Sequence, residues 1–301
     1  MKNLKCYMTY GISASGKSTW AANKVKEDKA QGIKTIEINR DNIRFTIVSP
    51  GSSWSNYKST HSLETLVTNI SKDLIKTAYE SDCNVIISDT NLNPFYLSSL
   101  QSYVQNLGFE TKVIELNTSF EEALKRDNKR ANGLGFSIIY QQWLRYTSQT
   151  KKMYVPDTTK PKAIIVDIDG TVADKGSRSA FEWLKVDQDT PKQFTIDMIK
   201  AISQKYDATI VFTSGRDSIC RDLTLDWIKK YINPSKDFEL FMRPLNDYRK
   251  DTLVKEEIFW SDIEPKYQVI GAFDDRPCVI RLWHSIKVPN VITVSDPFIE
   301  F

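Results

Sequence analysis

A chain of 301 residues, 41% of them hydrophobic and 26% charged, is long for a single core and comfortable for two domains of an ordinary globular protein. No apolar run approaches bilayer length and the amino terminus reads as a short strand without a signal-peptide pattern, so the expectation is a soluble, intracellular, cytoplasmic protein. Four scattered cysteines without C-x-x-C spacing and two histidines argue against a disulfide framework or structural zinc, and a net charge of +3 argues against coating of long duplex DNA while leaving room for a few local nucleic-acid contacts.

Lys5-Cys6-Tyr7-Met8-Thr9-Tyr10 predicts a first strand. Gly11-Ile12-Ser13-Ala14-Ser15-Gly16-Lys17-Ser18-Thr19 follows at once and opens a helix predicted from Thr19 to about Lys29. This is a P-loop in its required context. Its backbone N–H groups and the helix N-terminus favour anionic oxygens, Lys17 is expected at the β- and γ-phosphates, and the Ser18 hydroxyl is expected to help hold Mg²⁺. Gly11, Ser15, Gly16 and Thr19 complete the predicted ATP cradle.

A P-loop does not name the phosphoryl acceptor. Residues 35–38 predict a second strand delivering Asn39-Arg40-Asp41 and then Arg44, and residues 84–88 another delivering Asp89-Thr90-Asn91. Either aspartate suits the base that takes a proton from an acceptor hydroxyl, and Asp89 also suits a Walker B-like metal role; spacing leaves both open. Residues 46–60, rich in serine with Pro50, Gly51 and Trp54, read as a loop. Trp54 or Tyr57 there either stacks on a base at the mouth of an acceptor site or is tucked against the domain surface. Residues 63–79 carry core-facing helical periodicity, 111–116 predict a strand, and 119–130 predict a helix with Arg126 and Arg130 on one face, either closing over ATP phosphates or forming a solvated basic surface. Residues 137–150 predict the last helix of this half.

Residues 151–162, with Pro156, Pro161 and no periodicity, mark the expected boundary: a first domain over 1–152, a linker over 153–162 and a second domain over 163–301. Ala163-Ile164-Ile165-Val166 predicts a buried strand ending in Asp167-Ile168-Asp169-Gly170-Thr171, where two acids stand at a strand's carboxyl end, as a site or as turn chemistry. Helix is predicted at 190–206, strand at 209–213, helix at 217–231, strand at 238–242, helix at 250–260, strand at 268–273, helix at 277–286 and strand at 291–294. The fold class is therefore α/β in two domains, each a mostly parallel sheet flanked by helices. Few residues separate Thr171 from Thr190, too few for a large lid, which suits a macromolecular end.

Asp167-x-Asp169-Gly170-Thr171, Thr213-Ser214-Gly215-Arg216, Lys250 or Lys255, and Asp274-Asp275 in that order resemble the haloacid-dehalogenase-type phosphatases. That resemblance implies a Rossmannoid domain in which Asp167 attacks phosphorus and Asp169 shuttles a proton, with Mg²⁺ held by Asp167, the backbone oxygen of Asp169, and Asp274 or Asp275. With the P-loop, Ile38-Asn39-Arg40-Asp41, Asp89-Thr90-Asn91 and Arg126/Arg130, the whole chain is similar to the phage polynucleotide 5′-kinase/3′-phosphatase family, a P-loop kinase fold followed by a phosphatase. The family implies Asp41 as general base, Arg44 and Asp89 at the acceptor, and Arg126 with Arg130 on the donor phosphates. It implies Arg178, Ser214, Arg216, Arg243, Asp251 and Lys255 as supports for the second site. It also implies ATP as donor, 3′-phosphate or 2′,3′-cyclic phosphate ends as phosphatase substrates, RNA or DNA ends as partners, an RNA ligase working beside the enzyme, and a homo-oligomer, a tetramer. A small-molecule kinase fused to a metabolite phosphatase and a nucleotide-sensing scaffold are the competing readings.

Overall fold

The first strand, β1 (Lys5–Tyr10), is buried along its length except at Lys5, as a central parallel strand must be. The computed structural model describes residues 2–54, 56–179, 181–234 and 237–294, and the chain divides into two compact units, Met1–Gln149 and Thr150–Phe301.

In the first unit, β1 lies between β3 (Asn84–Ile87) and β4 (Glu110–Glu115), and β2 (Thr35–Ile38) lies outside β3, giving the order β2-β3-β1-β4 with every pairing parallel. The period of two sorts the side chains. Cys6, Met8, Val85 and Ile87 point to one face, against Val67, Ile75 and Ala78 of α3 (His61–Glu80) and Leu100 and Val104 of α4 (Pro94–Leu107), while Tyr7 and Ile86 meet Ala21 and Trp20 of α1 (Lys17–Ala30) on the other. Each fully buried large apolar side chain contributes about 1.5–3 kcal/mol. A short α2 (Arg40–Asn42) runs into a π-helical turn at Ile43–Val48, so the predicted loop begins in helical backbone.

Two differences from the sequence reading concern this unit. Helix α4 was not anticipated, although Asn93 caps Phe95 and Tyr96 N–H, Pro94 sits at its first turn and Gly108 closes it at φ 107°. The helix expected over 119–130 is α5 (Phe120–Asp127), capped by Ser119 on Glu122 N–H. It stops because the buried Asp127 turns the chain, accepting from Arg130 N–H on its carbonyl (3.0 Å) and from Gly135 N–H on its carboxylate (2.9 Å). Arg130 therefore lies beyond the helix, so helical spacing does not set its position relative to Arg126. The unit ends in α6 (Phe136–Thr150).

The second unit centres on β5 (Lys162–Val166). Its sheet has the order β11-β10-β5-β8-β9, built from β8 (Thr209–Asp217), β9 (Phe238–Arg243), β10 (Gln268–Asp274) and β11 (Val291–Thr293), again wholly parallel. One face packs on α7 (Gln193–Tyr206) and α8 (Arg221–Trp227), the other on α9 (Asp251–Ile258) and α10 (Pro277–Ser285). Tyr154 is buried in the second of these cores, edge-on to Phe259 at 5.4 Å. The helix expected from residue 190 starts at Gln193, because Thr190–Pro191 (β7) pairs antiparallel with Ala173–Asp174 (β6) and forms a small flap. The helix expected over 217–231 is broken into a 3₁₀ turn, α8 and a π-helical turn at Ile228–Ile232, and β8 runs four residues past its predicted end with a bulge between Ser214 and Asp217. Among the described residues no helix is long and apolar enough to cross a membrane, and all four cysteines are free.

Candidate active sites

Gly11 leaves β1 at φ 155°, where a Cβ would meet Leu116 O at 2.7 Å, and Gly16 turns into α1 at φ 99°. Helix α1 has no side-chain cap, so its first N–H groups remain available to an anion. The Lys17 ammonium lies inside the loop, donating to Gly11 O (3.2 Å) and Ile12 O (2.6 Å). Burial first, then Arg130, pushes its pKa down to about 8 against the pull of Asp89 and Asp41.

Lys17 and Ser18 open onto a cavity of 520 Å³ that Asp41, Asp89, Trp54 and Arg130 also line. Asn39 caps α2 and accepts from Asp41 N–H (2.9 Å), which fixes Asp41 at the cavity wall. One Asp41 oxygen accepts from Arg44 Nη1 (2.6 Å), the other from Trp54 Nε1 (3.3 Å). Arg44 is further held by a two-point fork on Glu64 (2.9 and 2.6 Å), and Arg40 reaches the same carboxylate at 3.1 Å. Glu64, Arg44 and Asp41 thus form one chain of charges. Arg44 in turn lowers the Glu64 pKa, with burial opposing.

Asp89 is deeper. Its Oδ1 accepts from Arg40 N–H (2.9 Å), and its buried Oδ2 has no hydrogen-bond partner among the described residues. Burial pushes its pKa up to about 6, opposed by the Arg40 N–H. A half-satisfied carboxylate lining the same cavity as the Ser18 hydroxyl offers oxygen donors of the kind a hard divalent cation takes. Arg126 donates to Glu122 (2.7 Å) and to Ala14 O (3.5 Å), and with Arg130 it lines an adjoining cavity of 490 Å³ over Gly16 and Thr19. The side chain of Gln142, from α6, accepts from Ser13 N–H of the loop at 2.7 Å.

The second site lies where β5, β8 and β10 end. The Lys255 ammonium, 1% exposed, donates to Asp167 Oδ1 (2.6 Å) and Asp274 Oδ2 (2.9 Å) and lies 3.7 Å from Asp251. Thr171 donates to the other Asp167 oxygen at 3.2 Å. One oxygen each of Asp167, Asp274 and Asp275 lies within 4.8 Å of the others, a carboxylate cluster whose spacing fits a hard divalent cation. Burial raises Asp167 well above its ordinary pKa, with Asp274 and Asp275 adding to the rise and Lys255 opposing it. Burial and Asp274 bring Asp275 to about 6.

Asp169 stands apart from that cluster. It accepts a fork from Arg216 (2.8 and 2.8 Å) and a bond from Arg178 (3.3 Å). Burial alone would raise its pKa, but Arg216 and then Arg178 outweigh it and hold the group ionised. Both guanidiniums are in turn bound by Asp189, at 2.8 and 2.7 Å from Arg178 and 2.6 Å from Arg216. Gly170, at φ 78°, packs so closely that a Cβ would overlap the Asp275 carboxylate. Gly170→Ala is therefore expected to cost about 1–3 kcal/mol of stability from backbone strain alone, read as a lowered urea midpoint.

The structure brings Lys17, Ser18, Asp41, Arg44, Asp89 and Arg130 to one cavity, and Asp167, Asp169, Arg178, Arg216, Asp251, Lys255, Asp274 and Asp275 to one strand-end cluster. Ser214 accepts from the Arg216 backbone N–H at 3.2 Å. Arg243 is committed to Gly215 O, Asp247 O, Arg249 O and Asp251, so it ties loops together, and Lys250 is exposed at the start of α9. Sequence reasoning missed Glu64 and Asp189. Arginines four apart at 40 and 44 signal the need for an acid; Asp189 had no local signal.

Residues 7–153 match the AAA domain family model, and residues 161–296 match the model of the polynucleotide kinase PNKP phosphatase domain. A relative from Autographa californica nuclear polyhedrosis virus, "Putative bifunctional polynucleotide kinase/RNA ligase", is 36% identical over 305 residues, covering 97% of this chain and 42% of the relative, so the chain spans less than half of that protein. Among solved structures, "Structure of the Pnkp1/Rnl/Hen1 RNA repair complex" contains a chain with 25% identity and a TM-score of 0.45, with 99% of this chain and 98% of that one covered. The two units thus belong in turn to two domain families, the first to the AAA domain and the second to the phosphatase domain of polynucleotide kinase PNKP.

Proposed function

We propose that the chain heals broken nucleic-acid ends, transferring the γ-phosphate of ATP to a 5′-hydroxyl at the first site and removing a 3′-phosphate at the second. The observation carrying this is that one chain holds two chemically different clusters suited to phosphate chemistry, a P-loop cavity with a carboxylate on its wall and a buried Asp167–Lys255 pair near an arginine-bound Asp169. A kinase and a phosphatase acting on one hydroxyl would only consume ATP, so the two sites serve opposite ends.

At the first site Asp41 takes the proton of the attacking hydroxyl. Of the two aspartates it is the better placed, because its side chain is 48% exposed whereas the Asp89 Oδ2 is buried. Arg44 and Trp54 keep its oxygens aimed, Lys17 leaves its own loop carbonyls for the phosphates, and Arg126 and Arg130 border the donor side. Ser18 and Asp89 would hold Mg²⁺ there. At the second site Asp167 attacks phosphorus while the alcohol leaves; Asp169 gives that oxygen a proton, then takes one from the water that hydrolyses the aspartyl-phosphate. Its two arginines keep Asp169 ionised at rest, and an arriving phosphate's negative charge favours its protonation. Asp167, Asp274 and Asp275 would hold Mg²⁺, which supplies charge neutralisation at the transferring phosphoryl. The product carries a 5′-phosphate and a 3′-hydroxyl, the pair an RNA ligase joins, and the viral relative's name joins polynucleotide kinase to RNA ligase.

A short RNA with a 5′-hydroxyl and a 3′-phosphate, incubated with ATP and Mg²⁺ and read by mass, tests this. The wild type is expected to gain phosphate at 5′ and lose it at 3′. Lys17→Ala is expected to lose only the first reaction and Asp167→Asn only the second, each by at least about 10³-fold. An RNA unchanged at both ends by the wild type would refute the reading.

A further inference from the structure

Trp54 lines the cavity with Asp41 and is backed by two further rings. Phe45, Trp54 and Tyr57 meet one another edge-on, with ring centroids 5.4, 5.8 and 5.9 Å apart. The indole is fixed from several sides. Its Nε1–H donates to Asp41 Oδ2 at 3.3 Å, the Arg44 guanidinium lies over the ring at 5.2 Å, and Arg44 is itself locked by the Glu64 fork. Trp54 is still 41% exposed, and it lines the cavity that also contains Lys17 and Ser18. A tryptophan packed only to seal a loop would bury its ring. This one is held rigid with ring surface left open into the site, so stacking on it costs little side-chain entropy.

From this geometry we infer that Trp54 is the stacking platform for the nucleobase of the 5′-terminal nucleotide. The inference rests on the 5′-kinase reading above and names what the acceptor cavity recognises. A hydroxyl bonded to Asp41 places its own base one sugar away, and of the two aromatic residues lining the cavity, Trp54 and Tyr96, the indole is the one tied to the other oxygen of the same carboxylate. Every base has a π-face, so the platform selects nucleotides over bare sugars or alcohols without reading sequence. The indole N–H adds a second role: it holds Asp41 in place while the base settles on the ring, so positioning of the base and of the proton acceptor are linked.

The test measures kcat and KM for 5′ phosphorylation by the wild type, Trp54→Ala and Trp54→Phe, on an ordinary 5′-hydroxyl oligonucleotide and on one whose terminal nucleotide is abasic. Expected are a KM about tenfold higher for Trp54→Ala on the ordinary substrate, a similarly raised KM for the wild type on the abasic substrate, and no further rise when the two changes are combined. Trp54→Phe is expected to keep a KM within about twofold of wild type, because it keeps a ring. Turnover of a 3′-phosphate serves as the folding control and should not change. Equal losses for Trp54→Ala on both substrates, a KM unaffected by the substitution, or a Trp54→Phe variant whose KM rises as much as the alanine's would each overturn the platform while leaving 5′-kinase activity established. No phosphorylation of any 5′ end by the wild type would overturn both.

Discussion

Lys255→Met is expected to abolish turnover at the Asp167 site and to destabilise the second unit by about 3–5 kcal/mol at neutral pH. The ammonium is the cation that Asp167 and Asp274 share directly, at 2.6 and 2.9 Å. Methionine matches much of the side chain's volume, so the loss reports charge rather than a cavity. The pH dependence fixes the sign. Burial holds Asp167, Asp274 and Asp275 above their ordinary pKa even with the lysine present. The folded variant then binds more protons than the unfolded chain, and a group raised in this way makes stability fall as pH rises. Acidification from pH 7 to 5 should therefore restore part of the lost stability, through protonation of groups such as Asp275 near 6. Urea midpoints at the two pH values check this, and a deficit independent of pH would show that the lysine acts by packing alone.

The second large effect is expected at Asp189. Its carboxylate, 1% exposed, is the shared counter-charge of Arg178 and Arg216, and the Arg216 side chain is wholly buried. Asp189→Ala leaves two guanidiniums facing each other with Asp169 as the acid between them, at a cost of about 3–5 kcal/mol. Asp169 should also lose its aim, so 3′-phosphate removal falls with stability while 5′ phosphorylation is kept. Asp189→Asn retains the shape and one acceptor and should be intermediate. Trp227 offers a local readout, since its Nε1–H donates to the Asp189 carbonyl at 2.7 Å. Unchanged unfolding of the alanine variant, followed by that tryptophan, would contradict the buried-charge account.

These two residues also mark the edge of what could be read from sequence. The P-loop and the Asp167-to-Thr171 run are contiguous, so strand, turn and chemistry were visible together, and the alternation of apolar strands with helices revealed both parallel sheets. Asp189 and Glu64 act through arginines 11 to 27 and 20 to 24 positions away, distances at which neither periodicity nor a motif carries a signal. Local pattern also overreached at Arg130. The helical spacing extends through it, but the Asp127 carboxylate bends the chain back to Gly135 and ends α5 first. Likewise Thr190 and Pro191 look like a helix start and are held extended in the flap, next to an aspartate gripped by two arginines.

The two sheets are parallel throughout, and that sets the tempo at which the chain reaches its native state. No neighbouring pair of their strands is joined by a tight hairpin: Lys5 must find Glu110, and Lys162 must find Gln268, before either central strand is complete. Such distant closures make folding slow relative to helical or hairpin-rich proteins of similar size. Every strand of the first sheet lies before Gln149, however, so a ribosome releases all of them before β5 is made. Synthesis from the amino terminus thus lets the P-loop sheet assemble without competition from the strands of the second, whose apolar runs would otherwise be partners for mispairing.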